Sequence, residues 1–150
     1  MNKKSFLLGL GAILIVVSAF VLLAPRPSSG QSITVYKSPT CGCCVGYITY
    51  LRKNNFKVTV VETTNRTELK KKFQIPADME SCHTSVVEGY AVEGHVPVAA
   101  INKMLAEKPE IDGIALPEMP AGSPGMGGVK SGPLTIYALS KGEKTKFFTE

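Results

Sequence analysis

Apolar and polar positions fall into a sequence of short segments along the chain. Ile33, Val35 and Lys37 alternate with Thr34 and Tyr36, the two-residue period of a strand. From Val45 the spacing lengthens. Val45, Tyr47, Ile48 and Leu51 recur at helical intervals, and Asn54-Asn55 closes the helix. Residues 57–62, KVTVVE, read as a second strand, continuous enough to be buried. Thr63-Thr64-Asn65 offers caps for a helix running through Glu68, Leu69 and Phe73, and Pro76 stops it. Thr84–Val87 and Tyr90–Glu93, joined at Glu88-Gly89, predict a hairpin. A third helix follows Pro97, with Val98, Ile101, Met104 and Leu105 on its apolar face and Pro109 beyond its end. Residues 109–133 show no regular element. They are rich in Pro, Gly and Met, and a loop of this length in a small domain is usually functional or disordered. Leu134–Leu139 and Thr145–Phe148, about a turn at Lys141-Gly142-Glu143, predict a C-terminal hairpin.

A strand–helix–strand unit implies a right-handed crossover and a parallel pair. The predicted fold is therefore α/β: a thioredoxin-like β-α-β-α-β-β-α core with a Pro/Gly/Met loop and a C-terminal β-hairpin. Two parts divide the chain. Residues 1–30 comprise a signal peptide or N-terminal membrane anchor plus a linker, and residues 31–150 form the domain. Phe6 to Ala24 is an uncharged run of 19 residues behind Asn2-Lys3-Lys4, longer than most signal-peptide cores. The basic start predicts export of everything after it, to the periplasm or to the outer face of the inner membrane. Membrane contact is expected only through this segment. The domain, about 120 residues, suffices for one hydrophobic core.

The net charge of +5 comes from scattered lysines. Lys70-Lys71-Lys72 reads as a solvated helix face. No basic stripe carries stacking aromatics, so nucleic acid is excluded as a partner. Tyr36, Tyr47, Phe73 and Met104 are expected in the core.

The chemistry lies in the cysteines. Cys41, Cys43 and Cys44 occupy the turn between the first strand and the first helix, and Cys82 is the fourth. A helix start has free N–H groups and partial positive charge, so it favours thiolate. Cys41 and Cys44 have the C-x-x-C spacing of dithiol oxidoreductases. Cys43 is superfluous in such a pair and makes better sense as a further metal ligand. Two structural disulfides would require both adjacent thiols, Cys43 and Cys44, to bridge outward from one turn. The spacings match neither common zinc sites nor iron–sulfur sites in an exported protein. The segment Cys82-His83 precedes the third strand, where a thioredoxin-like fold turns it toward the cysteine turn. Thiolates, thioethers and imidazole together suit copper, above all Cu(I). Met79, Met119 and Met126 are candidate covers for the site. His95 reads more readily as structural than as a ligand.

Cys41-Gly42-Cys43-Cys44, Ser81-Cys82-His83-Thr84, Glu93-Gly94-His95-Val96-Pro97 and the run from Met119 to Met126 together resemble the CopG-like family of exported copper-resistance proteins. The resemblance spans roughly residues 33–139. It implies a thioredoxin-like fold and copper held by Cys41, Cys43, Cys44, Cys82 and His83; because thiolate sulfur has spare lone pairs, more than one ion is expected to share bridging thiolates. It also implies a role in copper handling with redox activity toward copper, alongside other copper-handling proteins. The alternative is a periplasmic thiol–disulfide oxidoreductase with Cys41 as nucleophile and Cys44 as resolving thiol.

Overall fold

The computed structural model describes residues 30–150. The predicted signal peptide or anchor lies, but for Gly30, outside the described residues. Among the described residues, no helix is long and apolar enough to cross a membrane.

In chain order the elements are β1 (Ser32–Lys37), α1 (Gly42–Lys53), β2 (Lys57–Glu62), α2 (Thr67–Lys72), a single 3-10 turn (Ala77–Met79), β3 (His83–Val87), β4 (Tyr90–Glu93), α3 (Val98–Glu107), β5 (Gly113–Ala115), β6 (Thr135–Ser140) and β7 (Glu143–Thr149). The strands form one sheet in the order β2-β1-β3-β4-β5-β6-β7. β1 is parallel to β2 and antiparallel to β3, and β4 is parallel to β5. The mixed α/β class and the expected order of the first seven elements are both present.

Ile33 and Val35 on β1, Tyr47, Ile48 and Leu51 on α1, and Ile101 and Met104 on α3 meet in the main core. Both two-residue turns adopt positive φ at both positions: Glu88-Gly89 (44° and 88°) and Lys141-Gly142 (53° and 80°). This twist suits a tight hairpin.

Several expectations need correction. β2 is an edge strand, not a buried one, so Val58 and Val60 are only half covered while Lys57, Thr59 and Glu62 face solvent. Val45 is 58% exposed, and Cys44 takes its place on the buried face of α1. Tyr36 is only half buried. No side chain caps α2: its N-cap is Arg66, and Thr63 Oγ1 instead accepts from the Asn65 backbone N–H. Residues 109–133 contain a strand after all. β5 pairs Gly113 with Ala91, and a Cβ at Gly113 would lie 2.2 Å from the Ala91 carbonyl oxygen. Only glycine allows that approach. Lys70 is buried rather than solvated. Its amine reaches back from α2 to the segment before β3, whereas Lys71 and Lys72 remain exposed.

Candidate metal centre

The site forms where β1 ends, α1 begins and β3 begins. β1 and β3 pair antiparallel with Lys37 opposite His83, which places the start of β3 beside the exit of β1. Lys37 is itself buried. Its Nζ donates to the Ser38 carbonyl at 2.9 Å and reaches Pro39 O at 3.5 Å, and it pairs with Glu62 at 3.0 Å. This amine, with the Cys41 N–H donating to Ser38 O, shapes the turn that delivers the cysteines. Cys41 is the N-cap of α1 and has no side-chain capping bond.

The sulfur atoms converge. Cys43 Sγ lies 3.6 Å from Cys41 Sγ and 3.5 Å from Cys82 Sγ, and Cys44 Sγ is also 3.5 Å from Cys82 Sγ. All four Sγ atoms lie within 4.8 Å of one another. Cys41 and Cys44 are joined as a disulfide, while Cys43 and Cys82 are free thiols. The Cys82 thiol is pushed up to about 12, first by burial and then by its contact with Cys43. It holds its proton at neutral pH in the absence of a cation.

Two imidazoles extend the cluster inward. His83 Nδ1 stands 3.5 Å from both Cys44 Sγ and Cys82 Sγ. The His83 and His95 rings are 5.0 Å apart, edge to face, and Tyr47 packs against both at 4.9 and 5.0 Å. Cys82, His83 and His95 each offer a donor atom within 4.8 Å of the others. His95 Nδ1 donates to the Pro124 carbonyl at 2.7 Å. That bond fixes the tautomer and leaves Nε2 with the lone pair. Nε2 of both histidines is buried without a partner. Burial drives the His83 pKa down to about 3, aided by the neighbouring His95, and lowers that of His95 as well. Both rings are therefore neutral near pH 7, the form that binds metal.

The methionine loop covers one side. Met119 Sδ is 3.5 Å from Cys82 Sγ. The backbone folds on itself, with Ser123 N–H donating to Pro120 O at 3.0 Å, Met126 N–H to Ser123 O at 2.8 Å and Gly122 N–H to Gly127 O at 3.1 Å. Gly125 rests on α1 so closely that a Cβ at Gly46 would lie 2.2 Å from the Gly125 carbonyl oxygen.

Six of the residues singled out from the sequence thus stand together: Cys41, Cys43, Cys44, Cys82, His83 and Met119. Met126 is half buried in the same loop. Met79 is no cover. It is buried with Phe73 and Ile75 in a second apolar cluster. His95, expected as structural, bonds Pro124 as such a residue would and also stands beside His83 and Cys82. The hairpin held the signal: Thr84 pairs with Glu93, so two further steps along the antiparallel ladder put His95 beside Cys82.

Comparison with known proteins decides the family. Two solved structures, forms 1 and 2 of a protein named copper resistance protein CopG, match with a TM-score of 0.74 and 36% sequence identity. Each match covers 81% of this chain, and 98% and 99% of the respective chains compared. This chain belongs to the CopG family. A family model described as "Protein of unknown function, DUF411" matches residues 79–126. That CopG-family stretch carries Cys82, His83, His95 and the methionine loop. No curated protein matches.

Proposed function

We propose that this chain is an exported copper-handling protein that holds Cu(I) through Cys41, Cys43, Cys44, Cys82 and His83, with His95 as a sixth donor and Met119 as a cover. One observation carries the reading: four cysteine sulfurs, two of them joined as a disulfide, and two neutral imidazoles whose Nε2 atoms are buried and unpartnered converge on one place. An orphaned buried nitrogen costs about 1–3 kcal/mol unless something binds it. A soft cation would supply the missing partner of His95 Nε2, while His83 turns its other ring nitrogen, Nδ1, toward the sulfurs; the donor set of thiolate, thioether and imidazole suits copper. Thiolate sulfur has spare lone pairs, so neighbouring ions can share Cys43 and Cys82. The name of the matched protein, copper resistance protein CopG, agrees with this chemistry.

In the oxidised form the Cys41–Cys44 bond withholds two ligands. Opening it takes two electrons and two protons from a dithiol reductant and yields two thiols. The reduced chain then presents four sulfurs, each of which releases its proton as Cu(I) binds. Redox activity toward copper is part of this proposal, as is export through the N-terminal segment.

The disulfide favours one second reading, a thiol–disulfide oxidoreductase with Cys41 as nucleophile and Cys44 as resolving thiol. A dithiol enzyme has no use for Cys82. The reduced full chain is titrated with Cu(I) against a competing chelator, alongside Cys82→Ser. Binding of more than one Cu(I) per chain, with retention crippled by Cys82→Ser, supports the copper reading. Retention of a single Zn(II) with no copper held, or disulfide reductase activity with copper retention indifferent to Cys82→Ser, sinks it.

A further inference from the structure

The copper chemistry leaves one buried carboxylate unused. Glu93 ends β4 and is fully buried. Its Oε1 accepts from the Ser81 backbone N–H at 2.6 Å and from the Ser81 hydroxyl at 2.9 Å. Its Oε2 accepts from the Thr84 hydroxyl at 2.6 Å. Ser81 and Thr84 are the two residues that flank Cys82-His83. A single carboxylate therefore holds both ends of the two-residue segment that brings a thiol and an imidazole into the cluster. The Ser81 hydroxyl oxygen, 2.8 Å from the His83 carbonyl, also accepts from the His83 backbone N–H at 3.4 Å, which closes the segment into a tight loop.

Lys70 completes the arrangement from α2. Its amine is 3.5 Å from Glu93 Oε1 and donates to the Ser81 carbonyl at 3.0 Å and to Glu80 at 2.8 Å. Both amide groups about Ser81 are thus tied, the N–H by the carboxylate and the carbonyl by the amine. An ionised carboxylate can accept all three donors and attract Lys70 at once. An ionised carboxylate forms the stronger charge-assisted bonds. Burying the two charges costs several kcal/mol per ion before pairing, which apolar residues would avoid. The three hydrogen bonds that Glu93 accepts all come from residues 81 and 84, and the segment between them is where the pair acts.

We propose that Glu93 and Lys70 are positioning residues for the metal centre: they preset the Cys82-His83 segment so that its donors face the Cys41–Cys44 turn before any cation arrives. Neither side chain contacts the cation. The inference rests on the copper reading above. Its effect is on affinity and on the make-up of the ligand set, because a freed segment must be ordered at the moment of binding.

The test uses the reduced full chain and Cu(I), with Glu93→Gln, Thr84→Val and the double variant Glu93→Gln/Lys70→Met. Partners that orient metal ligands typically cost about 10–100-fold in metal affinity when removed. We expect a loss in that range for each variant. We also expect a changed sulfur-to-nitrogen balance around copper in X-ray absorption, which a general loss of stability would not produce. Any one of these variants that melts cooperatively yet matches the parent in affinity and ligand balance overturns the proposal. If the Glu93 variants do not fold, Thr84→Val decides, since it removes one hydroxyl and leaves the ion pair. Cys82→Ser separates the two levels. If it leaves copper binding unchanged, the copper reading itself has failed. If it abolishes binding while the positioning variants do not weaken it, only the present inference has.

Discussion

His95 donates from Nδ1 to the carbonyl of Pro124 at 2.7 Å, a bond between a buried ring beside the cysteine cluster and a loop 29 residues further on. One imidazole thus serves two tasks. Its Nε2 faces inward without a partner, and its Nδ1 latches the methionine loop. His95→Ala is expected to weaken Cu(I) binding by about 10-fold or more and to speed amide exchange across residues 119–128. Hydrogen exchange on the copper-free chain isolates the latch. Unchanged protection of the loop would show that Pro124 needs no such anchor.

The loop has a second point of attachment, where Gly46 on α1 meets Gly125. Gly46→Ala would set a Cβ 2.2 Å from the Gly125 carbonyl oxygen, and backbone cannot yield as a side-chain tip does. Overpacking of this kind typically costs about 1–3 kcal/mol. The loop is tethered at few places, so we expect it to lift rather than α1 to unfold. The thermal midpoint should fall by a few degrees, while Met119 loses its place beside Cys82. Denaturant unfolding gives the energy. A melting curve identical to the parent's would mean that the approach of the two glycines is not needed.

Much of this architecture was readable in advance, and the failures have physical causes. The cysteine turn was legible because a strand pattern gives way to a helix pattern at Cys41, and the convergence of Cys82 followed from strand order. Lys70 was misread because Lys71 and Lys72 beside it are solvated, and nothing local reveals that only the first turns inward. The part played by Glu93 was not legible locally, because its partners Ser81 and Thr84 lie across a hairpin. β5 escaped notice because a three-residue strand buried on both faces does not alternate. Met79 was grouped with Met119 by residue type, whereas only contact distance separates a cover from a core residue.

The buried histidines make a stability prediction for the copper-free chain. An unfolded histidine titrates near 6.5, and His83 in the fold has fallen to about 3, with His95 also lowered. Below pH of about 6.5 the unfolded chain binds protons that the folded chain refuses, so stability falls with acidification. The stabilisation is fully present above the unfolded value and is lost as pH drops toward the folded one. Glu93 acts in the opposite sense: burial raises its pKa, so protonation of the folded state offsets part of the loss. Urea midpoints should be flat at neutral pH and decline below about 6.5, with His83→Asn removing roughly one proton from the slope and His95→Gln making it shallower. A midpoint that held constant down to pH 5 would contradict neutral burial of the two rings.

The four sulfurs differ in reactivity in the metal-free chain. Cys41 and Cys44 are bonded to each other, and Cys43 and Cys82 are free and half buried at 3.5 Å. The Cys82 thiol is held protonated by burial and by Cys43, so it is a poor nucleophile at neutral pH. Alkylation of the oxidised chain should therefore label Cys43 first and Cys82 slowly, with Cys41 and Cys44 labelled only after reduction. Cys82→Ser should leave the Cys41–Cys44 bond intact, because that pair spans one turn at the start of α1 and depends on no distant segment. Copper retention should fail in the same variant. Mass mapping of labelled peptides distinguishes the outcomes. If Cys82 reacts as fast as Cys43, the protonated thiol is not there. If Cys43 is found bridged to Cys82, the oxidised chain keeps no free thiols, and copper entry would require two disulfides to be opened rather than one.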